Sequence, residues 1–125
     1  MADYLPKFTP GAPFTLTASA DITGGRLVAV SGDRTVATAG ADSAAAIGVA
    51  GFDVLNGESV TVYPLVGVQR LVLAGTVAAG ARLAAAASGK VDDTGTYFIG
   101  IALQGGAADD VIDVLTSDIF VAEEA

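Results

Sequence analysis

Apolar and polar positions alternate along this chain over short runs, and glycine interrupts the runs at close intervals. In Ser59-Val60-Thr61-Val62-Tyr63 the two valines share one face of an extended segment and Thr61 takes the other. In Val111-Ile112-Asp113-Val114-Leu115, Ile112 and Val114 point one way and Asp113 the opposite way. A period of two belongs to a strand, not a helix. Read in this way, the chain is expected to form strands over 14–18, 26–31, 35–39, 46–52, 59–65, 70–74, 82–86, 97–103 and 110–115. Turn chemistry separates them at Ser31-Gly32-Asp33, Asn56-Gly57, Ser88-Gly89-Lys90 and Asp93-Thr94-Gly95. Short valine-rich strands at this spacing predict an all-β, single-domain fold, a β-sandwich or a β-barrel-like structure.

Two alanine runs break the pattern. Ala44-Ala45-Ala46 and Ala84-Ala85-Ala86-Ala87 have high helix propensity but lie too close to glycine for a long helix. Asp42-Ser43 before the first run could cap one helical turn near 41–46. At most that one short helix is expected, with the second run read as strand.

The chain also resembles itself. Ile47-Gly48-Val49-Ala50 is matched by Ile99-Gly100-Ile101-Ala102, and Val60-Thr61-Val62 by Ile112-Asp113-Val114, both at an offset of 52 residues. Gly25-Arg26-Leu27-Val28-Ala29-Val30 is matched in the same order by Ala81-Arg82-Leu83-Ala84-Ala85-Ala86. Two related β-motifs within one domain would produce this, and so would chance similarity among Val/Ala/Gly-rich strands. Residues 1–14 read differently, holding three of the four prolines and the aromatics Tyr4, Phe8 and Phe14. Proline favours extended backbone and removes ladder donors. The chain therefore divides into an extended N-terminal arm over 1–14, a β-rich domain over 15–121 and a short tail over 122–125. The arm either docks on a partner or packs on its own domain.

Composition narrows the function. The 125 residues carry 14 acids and 6 bases, a net charge of −8, which opposes binding to nucleic-acid phosphates or to an anionic membrane surface. No run reaches the length of a membrane-spanning helix, and no leader pattern opens the chain, so a protein made in the cytoplasm is expected. With no cysteine and no histidine, disulfides, thiolate metal sites and Ser–His–Asp or Cys–His catalysis are excluded. A hydrophobic fraction of 52% with only 16% charged residues points to surface buried against other chains, or else to a tightly packed monomer with many exposed alanines.

Candidate chemistry is sparse. The stretch from Gly80 to Gly89-Lys90 lacks the spacing of a phosphate loop, and Val91 stands where Ser or Thr is required. Asp92-Asp93 and Asp109-Asp110 do not follow the calcium-loop pattern and read as turn residues. Arg26, Arg70 and Arg82 are candidates for ion pairs with acids of a neighbouring subunit, although pairs within one chain fit equally well. No catalytic residue, metal site or cofactor is assigned, and the chain is read as a structural protein, not an enzyme.

An ordered set of segments resembles a known family. It comprises Ile22-Thr23-Gly24-Gly25-Arg26-Leu27-Val28, Ile47-Gly48-Val49-Ala50 and Asn56-Gly57-Glu58-Ser59-Val60-Thr61-Val62. It continues with Gly75-Thr76-Val77-Ala78-Ala79-Gly80-Ala81-Arg82-Leu83, Gly89-Lys90-Val91 and Ile99-Gly100-Ile101-Ala102-Leu103. In this order they resemble the capsid cement, or head decoration, proteins of tailed bacteriophages, over roughly residues 15–116. The resemblance implies a non-enzymatic virion protein on the outer surface of the expanded head. It implies homotrimers at or near local three-fold positions that clamp the major capsid protein lattice. The arm, with Tyr4, Leu5, Pro6, Phe8, Pro10 and Phe14, is the candidate capsid contact by composition alone. Another β-structured phage module, such as a tail tube, spike or adhesin, is the alternative.

Overall fold

The computed structural model describes residues 12–121, and side chains as far as Ser117. Ten strands follow in chain order: β1 (Phe14–Ala18), β2 (Leu27–Gly32), β3 (Thr35–Thr38), β4 (Ala46–Ala50), β5 (Ser59–Pro64), β6 (Gly67–Val72), β7 (Arg82–Ala85), β8 (Val91–Asp92), β9 (Tyr97–Ala102) and β10 (Val111–Val121). The first five close into a barrel in the order β1-β3-β2-β4-β5, with β5 returning to β1. The last five form a sheet in the order β6-β10-β9-β7-β8. The fold is thus all-β and single-domain, as the alternation predicts.

The two halves are one motif used twice. β1–β3 is the parallel pair of the barrel, with Ala18 opposite Val36, and its counterpart in the second half is a parallel bridge between Leu73 and Val91. The antiparallel bridge Ile22–Val54 recurs as Val77–Gly106. Thr61 opposite Thr15 recurs as Asp113 opposite Arg70. Even side-chain caps repeat: Glu58 Oε1 accepts the Leu55 amide at 2.7 Å, and Asp110 Oδ2 accepts the Ala107 amide at 2.9 Å. Pairs up to β3 and β8 are related by 55 residues and later pairs by 52. The difference falls in the β3–β4 connection, which is three residues longer than its counterpart.

This register corrects the sequence alignment at one place. Leu27 lies opposite Val49 and Arg82 opposite Ile101, so Leu27 is equivalent to Arg82, not to Leu83. A slip of one residue exchanges the inner and outer faces of a strand. Val28 and Leu83 are the true inward-facing pair, and both are fully buried.

Inside the barrel lie Ala18, Ile22, Val28, Val36, Ala50, Val54, Val60 and Val62. Equivalent positions in the second repeat hold Leu73, Val77, Leu83, Val91, Ala102, Gly106, Ile112 and Val114. All of these except Gly106 belong to one core cluster. The two interiors conserve volume by exchange. Ala18 with Val54 becomes Leu73 with Gly106, and a Cβ at Gly106 would sit 3.0 Å from Leu73 Cδ1. The second core continues into the first repeat through Leu27, Ala39, Ala46, Val49 and Leu65, so the outer side of β2 and β4 is where the repeats join.

The expected helical turn at 41–46 is absent. Asp42 has φ 51°, in the left-handed region, and its carboxylate is used across the repeat junction instead of as a cap. Ser43 Oγ closes only a local turn, accepting the Ala45 amide at 3.2 Å. The one helical turn among the described residues is a 3₁₀ turn at Ala87–Gly89, so the second alanine run ends as strand at Ala85. β6 begins and ends before the expected 70–74, and β10 runs six residues beyond the expected end at Leu115.

Candidate functional site

Two regions gather the residues that could contact another molecule. One is the junction of the repeats. Asp42 Oδ1 accepts the backbone amides of Thr96 and Tyr97 at 2.8 and 3.0 Å, which hold its carboxyl below the usual aspartate range. The Asp42 amide donates to the Ala85 carbonyl, and the Gly89 amide to that of Ala39. Arg26 Nη1 donates to the Ser88 carbonyl at 2.9 Å. Arg26 therefore ties the 3₁₀ turn of the second repeat to β2 of the first, within one chain. An open cleft of about 540 Å³ lies beside it, lined by Asp21, Thr23, Arg26, Thr38 and Ser88 among others. Just after the 3₁₀ turn, Lys90 Nζ donates to Asp109 Oδ1 at 2.7 Å, and that hydrogen bond with the lysine's charge lowers the Asp109 pKa.

The other region is the outer face of the second sheet. Pairing aligns Arg82, Ile101, Leu115 and Val68 in a row across β7, β9, β10 and β6. The next row holds Leu103, Asp113 and Arg70, and Val111 follows on β10. Val68 is 56%, Ile101 38%, Leu103 50%, Val111 47% and Leu115 47% exposed. These are half of the exposed large hydrophobic residues among those described, gathered on one sheet face. Arg70 Nε lies 3.7 Å from Asp113 Oδ1 across the same face, an exposed pair of little energetic weight.

The structure thus brings Arg70 and Arg82 onto one surface and places Arg26 elsewhere. Phe14 is the first residue of β1 and packs partly on the barrel core. Tyr4, Leu5, Pro6, Phe8 and Pro10, with the tail at 122–125, lie outside the described residues. The apolar sheet face escaped the sequence reading, although a signal existed. Val111 and Leu115 flank Asp113 on the solvent side of a strand whose other side is already apolar. In β9 the signal is masked by a bulge. Gly100 faces Leu83 and Phe98 faces Ala84, which leaves Ile99 as the extra residue and turns it into the core.

Among the described residues no three acids gather as a metal site would require. A family model described as phage cement protein matches residues 8–117. The chain belongs to the phage cement protein family. No curated protein matches it. Among solved structures, this cement protein is similar to the N base of the head fiber gp8.5 of bacteriophage phi29. The TM-score is 0.69 at 20% identity, covering 90% of this chain and 98% of that one. At that identity the likeness is one of fold. The cement protein is accordingly a structural component of a phage particle, associated with its capsid.

Proposed function

We propose that this cement protein binds the outer surface of the expanded phage head as homotrimers at local three-fold positions. There it ties neighbouring major capsid protein subunits together and catalyses no reaction. The observation that carries this reading is the family match, which spans the repeats from end to end. The physics supports it. A closed barrel and a second sheet joined through a buried cluster that spans both repeats make a stiff clip, and stiffness is what a clamp on a pressurised shell needs. Many weak contacts repeated over a lattice give avidity without a deep pocket. A net charge of −8 suits the outside of a shell better than its DNA-facing side. The proline- and aromatic-rich arm supplies capsid contact in this reading.

Co-sedimentation with expanded, undecorated shells tests it. Saturation at a copy number that matches the three-fold sites is expected. Deleting residues 1–13 should leave the fold intact and weaken shell binding. Absence of binding by the full chain would overturn the proposal, and self-assembly into six-fold rings would replace it with a tail-tube role.

A further inference from the structure

The turn that leads into β5 carries a reactive pair. Asn56 is the one asparagine of the chain, it is exposed, and a glycine follows it. The side-chain amide of an asparagine is open to attack by the backbone nitrogen of the next residue, and glycine, with no Cβ, obstructs that attack least. Gly57 has φ 90°, and nothing stands within 4 Å of where its Cβ would be. Sterically the site is open, and hydrogen bonding is what closes it. The Gly57 amide donates to the Ala18 carbonyl at 2.8 Å, and the Ala18 amide donates to the Glu58 carbonyl at 2.8 Å. The Asn56 amide donates to Asp21 Oδ1 at 2.9 Å. The nitrogen that would attack is therefore engaged in an extension of the β1–β5 pairing.

The second repeat keeps the lock and lacks the reactive group. There the Asp109 amide donates to the Leu73 carbonyl at 2.8 Å, and the Leu73 amide to the Asp110 carbonyl at 2.9 Å. Ala108 stands in place of Asn56, and Asp109, with φ 69°, in place of Gly57. The geometry belongs to the motif, and the chemistry to its first copy alone.

We propose that Asn56 is a modification site of this protein, whose side-chain amide is lost to the Gly57 nitrogen when the turn opens and is kept while the turn is closed. In that step a bond forms between the Gly57 nitrogen and Asn56 Cγ, and the bond from Cγ to the side-chain nitrogen breaks. The proton of the Gly57 amide passes through solvent to the departing nitrogen, which leaves as ammonia. Water then opens the five-membered imide at either carbonyl and leaves aspartate or isoaspartate. The attacking nitrogen must first turn away from Ala18, so the folded chain reacts at the open-turn rate multiplied by the fraction of time the turn is open. The product adds one negative charge to the −8 of the chain, beside Asp21. Isoaspartate also lengthens the main chain by one atom between the amides that bond Asp21 and Ala18, so the closed turn no longer fits. A chain that has opened carries a permanent mark of it.

The test holds the full chain in mildly alkaline buffer, folded in one arm and unfolded in guanidinium chloride in the other. Isoelectric focusing after desalting counts the acidic product, and peptide mass mapping places it. The unfolded chain is expected to gain a species with one more negative charge, mapped to Asn56, and the folded chain to gain it at least about tenfold more slowly. Asn56→Ala, which copies Ala108, should give no such species in guanidinium chloride, where its folding has no bearing on the result. Equal rates in the two arms overturn the gating. Absence of the acidic species from the unfolded chain, or its persistence in Asn56→Ala at Gln69 or Gln104, overturns the assignment.

Discussion

Gly48 and Gly100 provide a sharp test of the repeat geometry. Neither has the left-handed backbone that favours glycine, so space alone explains them. A Cβ on Gly100 would stand 2.6 Å from the Leu115 carbonyl oxygen, 2.9 Å from Val114 Cγ1 and 3.2 Å from Thr116 Cα. Ordinary contact begins at 3.4 Å, so β10 would have to retreat by about 0.8 Å, and a paired central strand yields poorly. At Gly48 the same atoms recur one repeat earlier, the Tyr63 carbonyl oxygen and Val62 Cγ1. Overpacking of this kind costs about 2–3 kcal/mol. Unfolding entropy of roughly 2.1 cal/mol/K per residue gives about 0.26 kcal/mol/K for this chain, so the melting temperature should fall by about 8–12 °C. Gly75→Ala is the control, since nothing lies within 4 Å of its added methyl. It should melt at or slightly above the wild-type temperature, because alanine restricts the unfolded chain. Scanning calorimetry of Gly48→Ala, Gly100→Ala and Gly75→Ala decides the matter. If either of the first two melted within about 2 °C of wild type, the close approach of β4 to β5 and of β9 to β10 would be refuted.

Two further predictions use the repeats and the junction. Arg34 has φ 56° where its counterpart Gly89 has φ 72°, so Arg34→Gly should relieve left-handed strain and stabilise by about 0.5–1 kcal/mol in denaturant titration. A lower transition midpoint would contradict it. Asp42 and Asp109 have lowered pKa values, so the stability they supply is present above the normal aspartate range and is lost as pH falls through their folded values, below about pH 4. Melting should therefore decline steeply in that window. Asp42→Ala should melt lower than wild type at pH 7 and show a shallower acid decline, and an unchanged acid slope would remove Asp42 from the account.

How much of this was legible beforehand depends on the length of each signal. The inward valines of β5 and the inward Ile112 and Val114 of β10 were readable because strict alternation leaves a strand one way to face its core. The duplication was readable at Ile47–Ala50 and Ile99–Ala102 because the glycine inside each is fixed by the same carbonyl clash. It slipped at Leu27 because apolar identity drew Leu27 to Leu83. The true partner, Arg82, had lost its apolar neighbour. β8 contributes two residues, too few for any period, and its existence depends on pairing with β7. Asp42-Ser43-Ala44 carried a sound local signal for a helix start, but two amides from the other repeat took the carboxylate. A contact 54 residues away leaves no local trace.

The same logic explains why the candidate surface was harder to see than the core. Core positions are constrained by the repeat itself, and both repeats obey that constraint with different side chains, Val28 against Leu83 and Val60 against Ile112. Outer positions are constrained by whatever lies beyond the repeat. For Leu27 and Val49 that neighbour is inside the chain, and burial explains their apolarity. For Ile101, Leu103 and Leu115 no neighbour within the described chain does so, yet the side chains are as apolar. An exposed leucine taken singly needs no explanation. Of the counterparts of these residues in the first repeat, Val49, which matches Ile101, is buried, whereas Tyr63, which matches Leu115, is 44% exposed. The two copies of the motif therefore agree in their cores and differ in their outer faces, the first partly covered by the second repeat and the second exposed to water among the described residues.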